Sequence, residues 1–205
     1  MNKISVVAFD CDGVLFDSAE ANRAYYNQIL RHFDLPDMTD AQFAHAHMHT
    51  VDEALSNLIQ DPILLDQVNS FRSGQSYVPF IRFMRMEPDL RSLLERLRPV
   101  FKTAIATNRT DTMMRVLQDH GLEGDFDKVV TAADVRYPKP HPDLLLQLLD
   151  YFRITADRMI YIGDSQVDEV AAHEALVPFV AYGNPRLNAD YHIDHLGQLD
   201  DLLLG

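Results

Sequence analysis

Two aspartates stand two residues apart near the N-terminus, directly after an apolar run. The run covers residues 4–9 and is followed by Asp10 and Asp12. In an extended segment, residues i and i+2 point the same way. Two carboxylates on one side repel each other, and one pKa rises unless a cation lies between them. A hard cation such as Mg²⁺, held by carboxylates, substrate oxygens and waters, removes that repulsion, so the pair predicts a divalent-metal site.

Polar side chains also stand at other ends of predicted strands and helices. They are Thr107, Asn108, Lys139, Asp164 and Asp168. Ligands of open α/β sheets bind at the carboxyl ends of the strands, so we expect this set to converge. The lysine would balance the acids and contact a phosphate, while Thr107 and Asn108 would donate to phosphate oxygens. The combination predicts phosphoryl transfer, in which positioning and charge neutralisation carry most of the catalysis.

Strand and helix patterns alternate in the part of the chain that would hold these residues. Strands are predicted over residues 4–9, 100–106, 128–131, 159–162, 178–181 and, weakly, 192–194. Helices are predicted over residues 88–98, 110–120, 142–152 and 166–175. This alternation is typical of right-handed βαβ units and a parallel sheet.

The stretch after the first strand has helical patterns instead. Capping residues open helices at Asp17, Thr39, Thr50 and Asp61, residues 71–84 are also predicted to be helical, and no strand is predicted between Phe16 and Arg85. We therefore predict an α/β fold with a Rossmann-like parallel sheet. Its core would comprise residues 1–16 and 86–205, interrupted by an all-helical insert, residues 17–85.

Charge and composition exclude several classes of protein. The net charge of −13, from 18 Lys and Arg against 31 Asp and Glu, argues against nucleic acid and anionic membrane surfaces as partners. The single cysteine, Cys11, excludes an intrachain disulfide and is expected in the core. No window is apolar enough for a signal peptide or a membrane span. We expect a soluble cytoplasmic monomer or homodimer that acts on a small phosphorylated metabolite.

At these positions the sequence resembles the haloacid dehalogenase superfamily of phosphatases. Four short motifs of that family occur in order: Asp10-Cys11-Asp12-Gly13-Val14-Leu15-Phe16-Asp17-Ser18, Ala106-Thr107-Asn108, Lys139-Pro140-His141-Pro142-Asp143 and Gly163-Asp164-Ser165-x-x-Asp168. Each motif is weak alone, but together they cover the chain nearly end to end. The insert resembles the small α-helical cap of phosphoglycolate phosphatase and β-phosphoglucomutase relatives.

The resemblance implies catalytic roles for four residues. Asp10 would be the nucleophile that forms an aspartyl-phosphate. Asp12 would protonate the leaving oxygen and then activate water as a base. Thr107 and Lys139 would hold the phosphate. The implied reaction is hydrolysis of a small phosphate monoester.

The same resemblance implies Mg²⁺ as the cofactor. Its ligands would be Asp10, Asp164, directly or through water, and Asp12 through its backbone carbonyl. Asp168 would support these ligands without contacting the metal itself. One departure from the family concerns packing, because the helix after the fourth motif ends at Ala175-Leu176 without the glycine that is common in relatives.

Three alternating histidines occupy the stretch where relatives often have a glycine and a basic residue. In residues 45–50, His47 and His49 are predicted to face substrate rather than a metal, since zinc would need a fourth neighbour. Without Lys or Arg, this stretch favours a neutral or hydroxylated leaving group, such as a sugar or nucleoside phosphate, over phosphoglycolate.

Other functions remain open at this point. A phosphomutase of the β-phosphoglucomutase type has the same four motifs. A signalling phospho-acceptor domain also groups acids, Thr and Lys around Mg²⁺, but the long insert argues against it. A non-catalytic binding protein on this fold is a further alternative. A dehalogenase is disfavoured because those relatives lack the second aspartate, and Asp12 is present.

Overall fold

The computed structural model describes residues 4–47 and 51–204. The chain divides into two compact units. The core unit comprises Met1–Asp17 and Arg85–Gly205, and the helical unit comprises Ser18–Met84.

A six-stranded parallel sheet forms the centre of the core unit. Its strands, in the order in which they lie side by side, are β5 (Lys128–Thr131), β4 (Lys102–Thr107), β1 (Val6–Phe9), β6 (Met159–Gly163), β7 (Phe179–Tyr182) and β8 (Tyr191–Ile193). Every neighbouring pair in this sheet is parallel. The predicted α/β fold with a Rossmann-like sheet is confirmed.

A short antiparallel ladder in the core unit was not predicted. It joins β2 (Phe16–Asp17) to β3 (Arg85–Met86), with Phe16 opposite Met86 and Asp17 opposite Arg85. Strands of two residues are too short to show an alternating pattern, which explains why the sequence gives no signal for them. The ladder ties together the two chain segments that flank the helical unit.

Helices lie between the strands of the core unit, and the last helix follows the final strand, β8. They are α5 (Leu90–Leu97), α6 (Met113–Asp119), α7 (Asp143–Phe152), α8 (Gln166–Glu174) and α9 (Leu199–Leu203). Apolar residues of α7 and α8 pack with one face of the sheet in a single buried cluster. The burial of these apolar faces, rather than helix propensity, is what stabilises helices of this length.

The helical unit contains α1 (Ala19–His32), α2 (Asp40–His47), α3 (Val51–Leu58) and α4 (Pro62–Ser73), followed by a 3₁₀ helix, Val78–Phe83. Asp61 caps α4 by accepting from the N–H groups of Ile63 and Leu64. The prediction of a helix over residues 71–84 was wrong in its middle, because α4 ends at Gly74 and the chain resumes as the 3₁₀ helix.

The strand order fixes where a ligand site belongs. Strand β1 lies between β4 and β6, and the later strands of the chain extend the sheet away from it on both sides. At such a reversal the loops after adjacent strands turn to opposite faces and leave a crevice at the carboxyl ends. The residues that follow β1, β4 and β6 therefore face one location.

Candidate active site

Asp10 lies at the carboxyl end of β1. Its N–H donates to the carbonyl of Ile162 in β6 at 2.8 Å, so the ladder fixes the backbone up to this residue. The side chain is buried. Burial raises the pKa of Asp10 to about 7; Lys139 opposes this rise, and Asp168 and Asp12 add to it. The carboxylate therefore needs nearby positive charge to be fully ionised at neutral pH.

Lys139 supplies positive charge from the loop before α7. Its Nζ lies 2.8 Å from Oδ1 of Asp10 and 2.6 Å from Oδ1 of Asp168. The contact with Asp10 is an ion pair whose angles are not those of a hydrogen bond. Burial lowers the pKa of Lys139, but the two carboxylates outweigh burial and hold this pKa above its ordinary value. The lysine is thus charged although it is enclosed by protein.

Asn108 fixes the backbone of the lysine loop. Its Oδ1 accepts from the N–H of Lys139 and its Nδ2 donates to the carbonyl of Lys139, both at 2.9 Å. The sequence predicted that Asn108 donates to substrate. The structure commits the side-chain oxygen and one amide hydrogen to positioning Lys139, and the substrate contact stays a prediction.

Asp168 lies fully buried in the first turn of α8. Its Oδ1 accepts from Lys139 at 2.6 Å and from the Tyr161 hydroxyl at 2.8 Å. Its Oδ2 accepts from the N–H and hydroxyl of Ser165 in a capping box. The Tyr161 hydroxyl also lies 3.0 Å from the carbonyl of Ala106. Tyr161 was missed by the sequence reasoning, because a tyrosine within an apolar strand gives no sign of what its hydroxyl meets.

Asp164 follows β6 and approaches the loop after β1. A Cβ built on Gly13, which has a φ of +81°, would lie 2.1 Å from Oδ2 of Asp164. Glycine is needed there both for the positive φ and for the close approach. Burial raises the pKa of Asp164 to about 8, with further increases from Asp168 and Asp10 that Lys139 partly offsets. Asn184 donates to the Asp164 carbonyl at 3.0 Å.

Three acids of the core unit can share a cation. Asp10, Asp164 and Asp168 each offer a carboxylate oxygen, and these oxygens all lie within 4.8 Å of one another. Oxygen donors in this number suit Mg²⁺, which prefers carboxylates completed by water and substrate oxygens. Burial is the main cause of the raised pKa values of Asp10 and Asp164, and a divalent cation bound between them would lower both. The donor set therefore fits a hard divalent metal. Both oxygens of Asp168 already accept hydrogen bonds, and its predicted supporting role stays a prediction.

The carboxylate of Asp12 forms an ion pair with an arginine and is not one of the three acids that can share a cation. Nη2 of Arg109 donates to Oδ1 of Asp12 at 2.7 Å, and Nη1 lies 3.3 Å from the hydroxyl of Thr112. The Thr107 hydroxyl accepts from the N–H of Arg109 at 3.1 Å. Arg109 was not given a role from the sequence, because its partner Asp12 is 97 positions away. The site thus has a second buried cation next to the proposed acid–base residue.

The sequence also led to predictions for Cys11 and for two histidines, His47 and His49. Cys11 is buried, and burial raises the pKa of its thiol well above the ordinary value, as expected of a core residue rather than a nucleophile. His47 is the last residue of α2. His49 lies outside the described residues, and the substrate contacts predicted for both histidines stay predictions.

Comparison with known proteins decides the family. Residues 7–182 match the family described as haloacid dehalogenase-like hydrolase, a span that includes Asp10, Asp12, Thr107, Lys139, Asp164 and Asp168. The chain belongs to this family. The predicted resemblance and the predicted enzyme class, a hydrolase of the phosphatase type, are confirmed.

Individual relatives cover nearly the whole chain. A solved hydrolase of haloacid dehalogenase subfamily IA from Geobacter sulfurreducens is 35% identical, with a TM-score of 0.84 over 98% of this chain and 96% of that one. A phosphoglycolate phosphatase from Vibrio cholerae is 26% identical over 100% of this chain and 99% of its own length. A β-phosphoglucomutase from Clostridium difficile shares the fold alone, at 20% identity and a TM-score of 0.77 over 96% of this chain and 93% of that chain.

The described part of the chain, residues 4–47 and 51–204, has no helix that is both long and apolar enough to cross a membrane.

Proposed function

We propose that this protein hydrolyses a small phosphate monoester with Mg²⁺ as cofactor, through a phosphoryl group carried on Asp10. The observation that supports this most is the convergence of Asp10, Lys139, Asp164 and Asp168 at one edge of the sheet. A nucleophilic carboxylate, a fixed cation and a set of oxygen ligands are the parts that phosphoryl transfer requires.

Two displacements at phosphorus make up the proposed reaction. A carboxylate oxygen of Asp10 attacks the phosphorus while the bond to the leaving oxygen breaks, and Asp12 gives that oxygen a proton. Asp12 then takes a proton from a water that attacks the phosphorus. The bond to Asp10 breaks, which releases inorganic phosphate and restores both carboxyl groups to their starting states.

Other groups hold and neutralise the transferred phosphoryl group. Lys139 and the Thr107 hydroxyl would contact its oxygens, and Asn108 holds the lysine loop in place. Asp10 and Asp164 would hold the Mg²⁺, together with the backbone carbonyl of Asp12, while Asp168 would hold Lys139 beside them. When bound, the metal supplies positive charge that offsets the repulsion between these acids and the phosphoryl oxygens.

The test is release of inorganic phosphate from a panel of phosphorylated metabolites, with Mg²⁺ and with EDTA. Phosphoglycolate belongs in the panel because a full-length relative carries that name. Sugar and nucleoside phosphates belong there because residues 45–50 contain no Lys or Arg. Incubation with beryllium fluoride and Mg²⁺ should leave the fluoride complex on Asp10. Full turnover in EDTA, or conversion of a sugar phosphate to its isomer without phosphate release, would contradict the proposal.

A further inference from the structure

The ammonium group of Lys139 meets three oxygens in the core unit. These are Oδ1 of Asp10 at 2.8 Å, Oδ1 of Asp168 at 2.6 Å and the hydroxyl of Tyr161 at 2.9 Å. An ammonium group has three hydrogens. Tyr161 and Asp168 accept two of them, and the third is left on the side that forms the ion pair with Asp10. A phosphoryl oxygen that approaches Lys139 can therefore accept the third hydrogen without breaking a hydrogen bond.

The three partners differ in how firmly they are held. Asp168 is fully buried and accepts on its other oxygen from Ser165. Tyr161 is fully buried, and its hydroxyl lies 2.8 Å from Oδ1 of Asp168 and 3.0 Å from the carbonyl of Ala106. The contact with Asp10 has the distance of an ion pair but not the angles of a hydrogen bond. It is thus the contact that an incoming phosphoryl group replaces at least cost.

We propose that the Tyr161 hydroxyl is a positioning residue for Lys139. The hydroxyl accepts one ammonium hydrogen and donates its own hydrogen bond to Asp168 or to the carbonyl of Ala106. Together with the hydrogen bond from Lys139 to Asp168, this fixes two of the three hydrogens of Lys139. The third then stays on the side of the Asp10 ion pair before substrate binds, and is donated to a phosphoryl oxygen of the substrate afterwards. This inference rests on the proposed function, since it assumes that Lys139 contacts the phosphoryl group.

A purely structural role for Tyr161 makes different predictions. The ring belongs to the buried cluster of the sheet and lies 6.2 Å from the ring of Phe179, and a buried hydroxyl needs some hydrogen-bond partner. The carbonyl of Ala106 would satisfy that need alone. A hydroxyl that acts only on packing changes stability equally whether or not Lys139 is present. A hydroxyl that positions Lys139 changes phosphate binding only while the lysine is there.

The first experiment removes the hydroxyl and keeps the ring. In Tyr161→Phe we expect kcat/KM to fall about 10- to 100-fold, the size expected for a lost hydrogen bond to a charged group. The loss should be equal for nitrophenyl phosphate and alkyl phosphates, because Lys139 acts on the transferred group and not on the leaving oxygen. Inhibition by orthovanadate should weaken by a similar factor. Tyr182→Phe, which removes a hydroxyl that is bonded to Glu87, is the matched control and should stay within about twofold.

The second experiment is a double-mutant cycle read out by orthovanadate binding, which needs no turnover. In a Lys139→Met background, Tyr161→Phe should cause no further loss of affinity. Tyr161→Met serves as a second variant that lacks the hydroxyl. Its vanadate affinity should match that of Tyr161→Phe even if its unfolding temperature differs.

An equal loss in both backgrounds, or wild-type kinetics in Tyr161→Phe, would overturn the inference. A wild-type protein that releases no phosphate from any ester would instead contradict the proposed function. The vanadate cycle would then still decide whether Tyr161 acts through Lys139.

Discussion

Oppositely charged side chains meet in both units of the chain, but in different surroundings. In the core unit, Lys139 and its carboxylate partners are enclosed by protein. The ion pairs of the helical unit include Arg23–Asp40, Arg31–Asp37 and Arg72–Asp52, each with a largely exposed member. An exposed pair contributes about 0–1 kcal/mol, whereas breaking a buried pair leaves an uncompensated charge. Matched substitutions in the two units should therefore differ by orders of magnitude in their effect on kcat.

The largest difference is expected at Asp10 and Asp40. Asp10→Asn removes the proposed nucleophile and should lower kcat by at least about 10⁴-fold, while the circular dichroism spectrum stays that of the folded protein. Asp40→Asn makes the same chemical change at an exposed aspartate that is paired with Arg23, and should leave kcat within about twofold. Comparable kcat values for the two variants would refute the assignment of Asp10.

Asp12 gives the next largest effect and a distinctive substrate dependence. Asp12→Asn should cost about 10²–10⁴-fold in kcat for alkyl phosphates, the usual range for a general acid–base residue. The loss should be smaller for nitrophenyl phosphate, whose leaving oxygen needs little protonation. Equal losses on both substrates would show that Asp12 does not donate the proton and that its pair with Arg109 is only structural.

Substitutions at two glycines distinguish the effect of backbone strain from the effect of contact with the proposed metal ligand. Gly13 and Gly183 both have positive φ, but a Cβ on Gly13 would collide with Asp164, while a Cβ on Gly183 meets nothing within 4 Å. Gly13→Ala should displace Asp164, raise the Mg²⁺ concentration needed for half-maximal rate and cost about 10²-fold in kcat/KM. Gly183→Ala should cost only stability. The measurement is a Mg²⁺ titration of activity for both variants, and equal Mg²⁺ requirements would count against Asp164 as a ligand.

The residues of this site that the sequence could predict follow a local rule. Asp10 and Asp164 each come directly after an apolar run, and the strand-end rule needs only that pattern and a parallel sheet. The hydroxyl of Tyr161 and the guanidinium of Arg109 act through partners that no local pattern specifies, since Arg109 reaches Asp12 across 97 positions. Sequence therefore predicted which carboxylates converge and that Lys139 balances them, but not the contacts of Tyr161 and Arg109.

The fold, too, could be predicted where a local pattern specifies it but not where it depends on pairing between distant segments. The buried strands of the sheet were predicted because a run of apolar residues specifies a strand that is covered on both faces. The ladder between Phe16–Asp17 and Arg85–Met86 depends on pairing between distant segments, and two residues carry no periodicity of their own. The interruption after α4 at Gly74 was missed although Ser73, Gly74 and Ser76 form a polar cluster of the kind that marks a loop.

The acid cluster should make stability depend on pH and metal. The folded-state pKa values of Asp10, about 7, and Asp164, about 8, lie above the ordinary value of 3.8. The folded protein therefore binds more protons than the unfolded chain between about pH 4 and pH 8, so stability falls as pH rises through that range. Metal-free protein should unfold at a lower temperature at pH 8 than at pH 5. Mg²⁺ should raise the unfolding temperature more at pH 8, where it replaces the lost protons.

Thermal unfolding in EDTA and in Mg²⁺ at the two pH values measures this effect. Asp164→Asn removes one of the two acids and should reduce both the pH dependence and the response to Mg²⁺. An unfolding temperature that rises from pH 5 to pH 8 in EDTA would mean that the cluster does not govern stability in this range.

The smallest expected effect is a change in stability at two helix ends that share one hydrogen-bond pattern. Helix α8 ends with Leu176 at a φ of +57° and α1 ends with Asp34 at a φ of +54°. In each case the next residue donates to the carbonyl five positions back, Val177 to Ala172 and Leu35 to Leu30, the pattern in which glycine usually takes the left-handed position.

Leucine is poorly suited to that position and aspartate tolerates it. Leu176 is also 81% exposed, so it gains little from burial. Leu176→Gly should remove a strain of roughly 1–2 kcal/mol, offset by the greater freedom of glycine in the unfolded chain, for a net gain of about 1 kcal/mol. Asp34→Gly should gain less. Leu176→Ala keeps the strained backbone and serves as the control, so urea unfolding should rank Leu176→Gly above Leu176→Ala. The reverse order would show that the exposed leucine side chain stabilises this helix end more than its backbone conformation destabilises it.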